Sequence, residues 1–403
     1  MNKKVGSVFG GSLLVAGISI GGGMLVLPIV TGAGGFWPAM IMNFCCWIFM
    51  MSTGLLLVEL SLSLKGEPNI ISIASTTLGV PGKIIAWALY LFLFYCLTTA
   101  YVAGGGELVA EVFHGVPKSL GIIIFSAMFG SVVYYGARAV DRLNVLLISG
   151  LVISYVVFVF MGMPHVDIQR LSHSEWRYAL LGLSVIFTSF GFQGFVPTLC
   201  SYLERDQKKI RLAVIIGSAI PFFVYALWEF LIFGIVPVYG NGGLIDAMVA
   251  GHTVIYPLMG IIKSSWVSEA SQFFAFFAIV TSFLGVTLGL RDFLADGLNI
   301  RKTPSGRFFL CLLIYVPAII MAISNQGAFI SALKYAGAYG VAFLLGLLPI
   351  IMVWRARYHR RLISPYRLTG GKVYLVILAL FAVFVIGREF IEDFVMHVQL
   401  PDF

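Results

Sequence analysis

Two stretches of the sequence place backbone groups where chemistry can use them. GISIGGGMLVLP (17–28) and FTSFGFQGFVPTL (187–199) each set glycines and a proline inside an apolar run. Glycine weakens a helix by about 1 kcal/mol and proline removes a backbone donor, so both runs read as helices that stop and restart. Both contain Ser-x-Gly, at Ser19–Gly21 and Ser189–Gly191, and Pro28 and Pro197 follow at similar distances. Where the first restarts, near Gly22, Gly23 and Met24, amides and the positive end of a helix dipole suit a carboxylate. Where the second stops, near Thr188, Ser189 and Phe190, carbonyls suit an ammonium. Glycine at Gly21, Gly22 and Gly23 keeps side chains from standing between backbone and ligand. Together the breaks describe a receptor for the α-amino acid group. The plainer alternative is that these glycines only let helices pack closely.

Other residues add to this. Phe190, Phe192 and Gln193 flank the second break, and aromatic walls with one amide suit a phenol or indole ring. Ionisable groups inside apolar runs are costly and mark function by default. They are Glu59, Glu107, Glu229 and Lys334. Glu59 has no neighbouring charge in its own run, which makes it a candidate proton carrier or else half of an ion pair. The histidines fall in loops or at the ends of runs, so a histidine relay at mid-depth is not expected. Cys45, Cys46, Cys96, Cys200 and Cys311 show no metal or disulfide spacing and read as small buried side chains.

The elements that hold these residues are set by composition. The 403 residues are 60% hydrophobic and 11% charged, with a mean hydropathy of +0.98. Soluble domains carry about 25% charged residues, so lipid is the implied solvent. A bilayer core takes about 20 apolar residues per helix. Eleven spans are expected, near 7–32, 37–64, 83–112, 119–137, 143–162, 179–203, 211–238, 267–297, 306–323, 328–354 and 373–396. The semi-apolar stretch 240–265, with Pro257, is too interrupted to span and is expected to fold as a hairpin of short helices. The first run has no cleavage site and reads as a genuine span rather than a signal peptide.

The net charge of +8 is explained by topology. With the N-terminus in the cytoplasm, the inner side takes Lys3, Lys4, Lys65, Lys83, Arg138, Arg142, Arg205, Lys208, Lys209 and Arg211. It also takes Arg291, Arg301, Lys302, Arg307, Arg355, Arg357, Arg360, Arg361, Arg367 and Lys372. Only Lys118, Arg170, Arg177, Lys263, Lys334 and Arg388 remain for the outer side, out of 26 basic residues. This is the positive-inside bias, so no nucleic-acid partner is expected. An odd number of spans puts the C-terminus, with Asp402, outside.

At these residues the sequence resembles the hydroxy/aromatic amino acid permease family of bacteria, within the amino acid–polyamine–organocation superfamily. Its tyrosine permeases are the nearest in likeness. The resemblance runs through SIGGGMLVLP (19–28), LFYCLTTAYVAGGGELVA (93–110) and IFTSFGFQGFVP (186–197). It continues in IIGSAIP (215–221), TSFLGVTLGLRDFLADGL (281–298) and KYAG (334–337).

The resemblance implies an all-α, eleven-span protein with a LeuT-like five-plus-five inverted repeat and one extra helix. The repeats would be 1–163 and 164–354, and 355–403 a basic cytoplasmic loop and the eleventh helix. It implies proton-coupled import of an aromatic amino acid, L-tyrosine first, across the bacterial cytoplasmic membrane. No cofactor, no metal and no obligate protein partner beyond membrane lipid is implied.

In that fold the third span passes the site, and Tyr95, Thr99, Ala103 and Gly106 would share one mixed face beside it. The eighth span reads Ala278-x-x-Thr281-Ser282, similar to the sodium-site pattern of sodium-coupled members of the fold. Oxygen ligands suit a hard cation, so sodium stays open beside the proton. The alternative is that both hydroxyls bond to their own helix. A channel would need a ring of selectivity groups. A membrane enzyme would need a motif such as HExxH or a Walker A loop, and the sequence has neither. GISIG (17–21) matches GxSxG in letters but lies within an apolar helical run, not on the strand-to-helix turn that a nucleophile elbow needs.

Overall fold

The computed structural model describes residues 6–66, 68–113, 115–261, 265–301, 303–325 and 327–394. Lys3, Lys4, His114, Lys263, Lys302, His397 and Asp402 lie outside those residues, as does the expected external C-terminus.

The first apolar run does not form one helix. Helix α1 (Val8–Ser19) is capped by Ser7, whose hydroxyl accepts from the Gly10 amide. The chain is extended at Gly21, makes a 3-10 turn over Gly22–Leu25, and restarts as α2 (Leu27–Thr31) with a proline in its first turn. That proline costs nothing there, because the first amides of a helix have no partner in it.

The sixth run repeats the order. Helix α8 (Leu183–Ser189) stops, a 3-10 turn covers Gln193–Phe195, and α9 (Val196–Tyr202) starts on Pro197. Between the broken helices lie α3 (Phe36–Ser63), the short α4 (Ile70–Leu78), α5 (Val80–Val112), α6 (Lys118–Tyr135) and α7 (Ala137–Gly162).

After α9 come α10 (Gln207–Ile235) and the short pair α11 (Leu244–Ala250) and α12 (Ile255–Ile261), the expected hairpin. Then follow α13 (Ser265–Gly297) and α14 (Pro304–Ser324). Helix α15 (Ala328–Tyr335) runs through a π-helical stretch, Ala336–Leu347, into α16 (Leu348–Tyr358), and α17 (Gly371–Phe394) is the last described helix. Ten helical stretches among the described residues are long and apolar enough to cross a membrane, and α1 is a shorter apolar helix beside them. Large apolar side chains such as Phe160, Ile153, Phe223 and Leu380 stand exposed on outward faces. Water would penalise such a surface, whereas lipid accepts it.

The broken helices sit inside the bundle. Helix α1 lies along α10, α13 lies between α5 and α7, and α8 is covered by the π stretch. That last crossing is so close that a Cβ on Gly337 would stand 1.7 Å from the Ser184 carbonyl oxygen. Only glycine fits.

Polar staples close the ends. Arg205 donates to the carbonyls of Ser61, Leu62, Leu64 and Gly66, which takes up the unpaired carbonyls at the end of α3. Arg357 on α16 grips Glu59 on α3 with two nitrogens, and the Leu368 amide donates to the same carboxylate. At the opposite end Lys334 meets Glu389 at 3.4 Å and Glu392 at 3.2 Å, and the Ser184 hydroxyl donates to Glu389, which ties α17 to α15 and α8.

Candidate functional site

The two breaks face each other. A Cβ on Gly21 would meet the Ser282 hydroxyl at 2.4 Å, one on Gly22 the Tyr101 ring at 2.8 Å, and one on Gly23 the Ser189 hydroxyl at 2.9 Å. The three glycines therefore bring the first break against α13, α5 and α8 at once. The glycines break the helix here and also allow close packing. The Gly22 amide donates to Ser282 Oγ at 3.1 Å.

A residue that sequence reasoning missed joins the breaks. The Tyr225 hydroxyl on α10 lies 2.6 Å from the Ser19 carbonyl and 2.9 Å from the Ser189 carbonyl. These carbonyls belong to the last residues of α1 and α8, where the helix leaves them unpaired. One turn on, the Trp228 indole donates to the Met24 carbonyl at 2.8 Å. The Thr31 hydroxyl lies 2.8 Å from the Glu229 carboxyl, which also accepts from Asn43 at 2.7 Å. A signal did exist in the sequence. Tyr225-x-x-Trp228-Glu229 puts three polar-tipped side chains on one face of an otherwise apolar helix.

Several expected site residues lie elsewhere. Tyr95 donates to the Leu313 carbonyl and Thr99 to the Met321 sulfur, so this face of α5 is turned to α14. The face toward the break carries Tyr101, two positions on from Thr99 and about 200° around the helix. Gln193 is fully buried and donates to the Met50 carbonyl and to Thr53 on α3, away from the break. Phe192 packs on the same helix, within 2.7 Å of where a Gly54 Cβ would stand. Phe190 does stay at the site, edge-on to Tyr225 with centroids 5.3 Å apart.

The carbonyls expected to be open are engaged. That of Thr188 accepts from Gly191, that of Phe190 from Phe192, and that of Ser189 from Tyr225. The Thr188 hydroxyl donates back to Ser184 and across to the Leu333 carbonyl. Thr281 donates to the carbonyls of Phe277 and Ala278 in its own helix, while Ser282 turns to Gly22. The expected ion-site hydroxyls thus point to different partners. Glu59 has a full-strength cationic partner in Arg357, which the sequence placed 298 residues away.

Burial differs on the two sides of the breaks. Residues 24–33 and 183–187 are buried throughout, and the Val254 amide between α11 and α12 donates to the Leu25 carbonyl. On the other side Gly17, Gly194 and Gly285 are exposed, and a Cβ on Gly17 or Gly285 would meet nothing within 4 Å. At the sealed end His252 bonds Glu107 at 2.9 Å, and Lys118 stands 3.5 Å from the same carboxylate. The bond to Glu107 raises the His252 pKa and outweighs the opposing effect of partial burial.

Comparison with known proteins places this architecture. A manganese transporter mutant from Eremococcus coleocola has a similar fold, with a TM-score of 0.63 over 98% of this chain and 88% of that one, at 14% identity. It is a LeuT-like transporter fold. The chain is 32% identical over 398 residues to the tyrosine-specific transport system 1 of Haemophilus influenzae, covering 97% of each. It is 30% identical to the tryptophan-specific transport protein of Pseudomonas aeruginosa, over 94% of this chain and 93% of that one. Residues 4–388 match a single family across nearly the whole chain. The chain belongs to the tryptophan/tyrosine permease family.

Proposed function

We propose that this multi-pass membrane protein imports an aromatic amino acid, L-tyrosine before tryptophan or phenylalanine, by alternating access driven by a proton. The observation that carries this reading is the pairing of two helix breaks through one tyrosine hydroxyl, inside a wall of Tyr101, Phe190 and Tyr225. Relatives named for tyrosine and for tryptophan transport support an aromatic substrate. Breaks in matching positions mark the midplane site of transporters built from inverted repeats. Residues 1–163 and 164–354 would be those repeats, and 355–403 would add the basic loop and the last helix.

The basic residues favour a cytoplasmic N-terminus. With that orientation, the exposed glycines put the open side of the breaks toward the cytoplasm. The separate partners of Thr281 and Ser282 weigh against sodium, which needs several oxygens aimed at one point.

Purified protein in liposomes tests the reading by counter-flow across the standard amino acids, followed by accumulation under pH and sodium gradients imposed separately. Exchange of tyrosine, tryptophan or phenylalanine and concentration by the pH gradient are expected. Exchange of aliphatic amino acids alone, or concentration by sodium alone, would refute it.

A further inference from the structure

We propose that Glu229 is the proton-binding site of this transporter and that its protonation state controls the sealed half of the broken first helix. The proposal rests on the proton-coupled reading above.

Glu229 is fully buried on α10. Its carboxyl bonds Thr31 of α2 and Asn43 of α3, so three elements meet on it. Among the described residues no lysine, arginine or histidine pairs with it. The other ionisable groups around this face are already engaged or point away. On the segment Ile168–Ser172, Arg170 donates to the Ile235 carbonyl and pairs with Asp167 at 3.6 Å. Tyr155 of α7 donates to the Val224 carbonyl, and Tyr225 of α10 itself holds the two breaks. Tyr256 of α12 is exposed and stacks on His252. Helix α1 has no ionisable side chain.

A count of hydrogens points the same way. Thr31 Oγ1 lies 2.7 Å from the Leu27 carbonyl and 2.8 Å from Glu229 Oε1. A threonine hydroxyl has one hydrogen to donate, so it serves one of these oxygens fully. A carboxylic acid supplies the other hydrogen. Glu229 then donates to Thr31, and Thr31 donates to Leu27. Tyr225, Thr188 and Thr281 differ, because their carbonyl partners carry no proton and the one hydrogen must be shared. Asn43 presents two amide hydrogens, one for the Ala39 carbonyl and one for Glu229 Oε2, while its Oδ1 is buried without a hydrogen-bond partner.

Protonated, the carboxyl bonds α2 to α10 and suits its dry surroundings. Ionised, it would be a buried charge with no counter-charge, a state that proteins avoid by letting water in or changing shape. Loss of the proton therefore favours parting of α2 from α10, which is the seal over the breaks. Proton binding and closure on that side become one event.

The full-length protein in liposomes tests this with the aromatic amino acid that wild type exchanges fastest. Glu229→Gln fixes the neutral state. It should still bind that substrate, within about threefold of wild type, while exchange slows and concentration under a pH gradient falls at least about tenfold. Where this variant fails to fold, Thr31→Val keeps the carboxyl and removes the relay. It should shift the pH midpoint of uptake by about one unit. Glu229→Gln that concentrates substrate like wild type, or Thr31→Val with an unmoved midpoint, overturns the proposal alone. A wild type that exchanges no aromatic amino acid overturns the transport reading, and the proposal falls with it.

Discussion

Glu59 shows how a residue can be identified from sequence while its partner stays hidden. The missing charge in its own helix made it a carrier candidate, but Arg357 arrives from α16 and binds it with two nitrogens. Both side chains are nearly buried, at 6% and 5% exposure. Removing one half of such a pair leaves the other charged and dry, at a cost of about 3–5 kcal/mol. Glu59→Gln should therefore lower the melting temperature in detergent, and Arg357→Gln should do the same. The ratio of pH-driven accumulation to exchange should hold in whatever protein remains. A collapse of that ratio without loss of stability would return Glu59 to the role of carrier. Gln193 calls for similar treatment. Its amide nitrogen holds it on Met50 and Thr53 of α3 while its Oε1 is buried without a partner, so Gln193→Ala should act through that contact and reduce tyrosine and phenylalanine transport alike. A loss confined to tyrosine would place the amide on the phenol instead.

Elements were legible from sequence where their chemistry is local. Glycine and proline act on their own backbone, so the breaks at Gly21–Gly23 and Gly191–Pro197 could be placed without neighbours. The short helices after α10 were legible for the same reason. The facing side of α5 was not, because Tyr95 and Thr99 have helical spacing on the wrong phase, and nothing within α5 says which phase meets α13. The carbonyl at Ser189 was rightly seen as unpaired by its helix, but the hydroxyl that takes it, together with the carbonyl of Ser19, comes from α10. Tyr225→Phe should leave those carbonyls dry and cost about 1–3 kcal/mol, read as a lowered melting temperature together with slower exchange. An unchanged protein would mean that water replaces the hydroxyl.

The short-helix hairpin is fastened in a different way, by His252 on Glu107. The histidine pKa is raised above its ordinary 6.5, so the bond contributes fully below that value. It fades as pH climbs through the raised one. Melting temperature should fall over that interval in wild type, and His252→Gln should flatten the decline.

For the molecule as a whole, the decisive feature is the difference between the two sides of the breaks. Residues 24–33 are packed throughout, while Gly17 and Gly194 are exposed. In a version without its native thiols, cysteine at position 17 or 194 should react with a polar reagent applied from the N-terminal side. Cysteine in place of Val30, which is 1% exposed, should stay unreactive, and the reverse pattern would mean that another state dominates in the membrane. The sealed layer also has an electrical consequence. Water that reaches the breaks from one side carries that side's potential inward, so the membrane voltage falls almost entirely across the packed remainder. Moving one elementary charge through such a thin layer is worth about 2.3 kcal/mol per 100 mV. A cell that energises its membrane would then be pulling directly on the few packed turns of helix around Thr31 and Glu229.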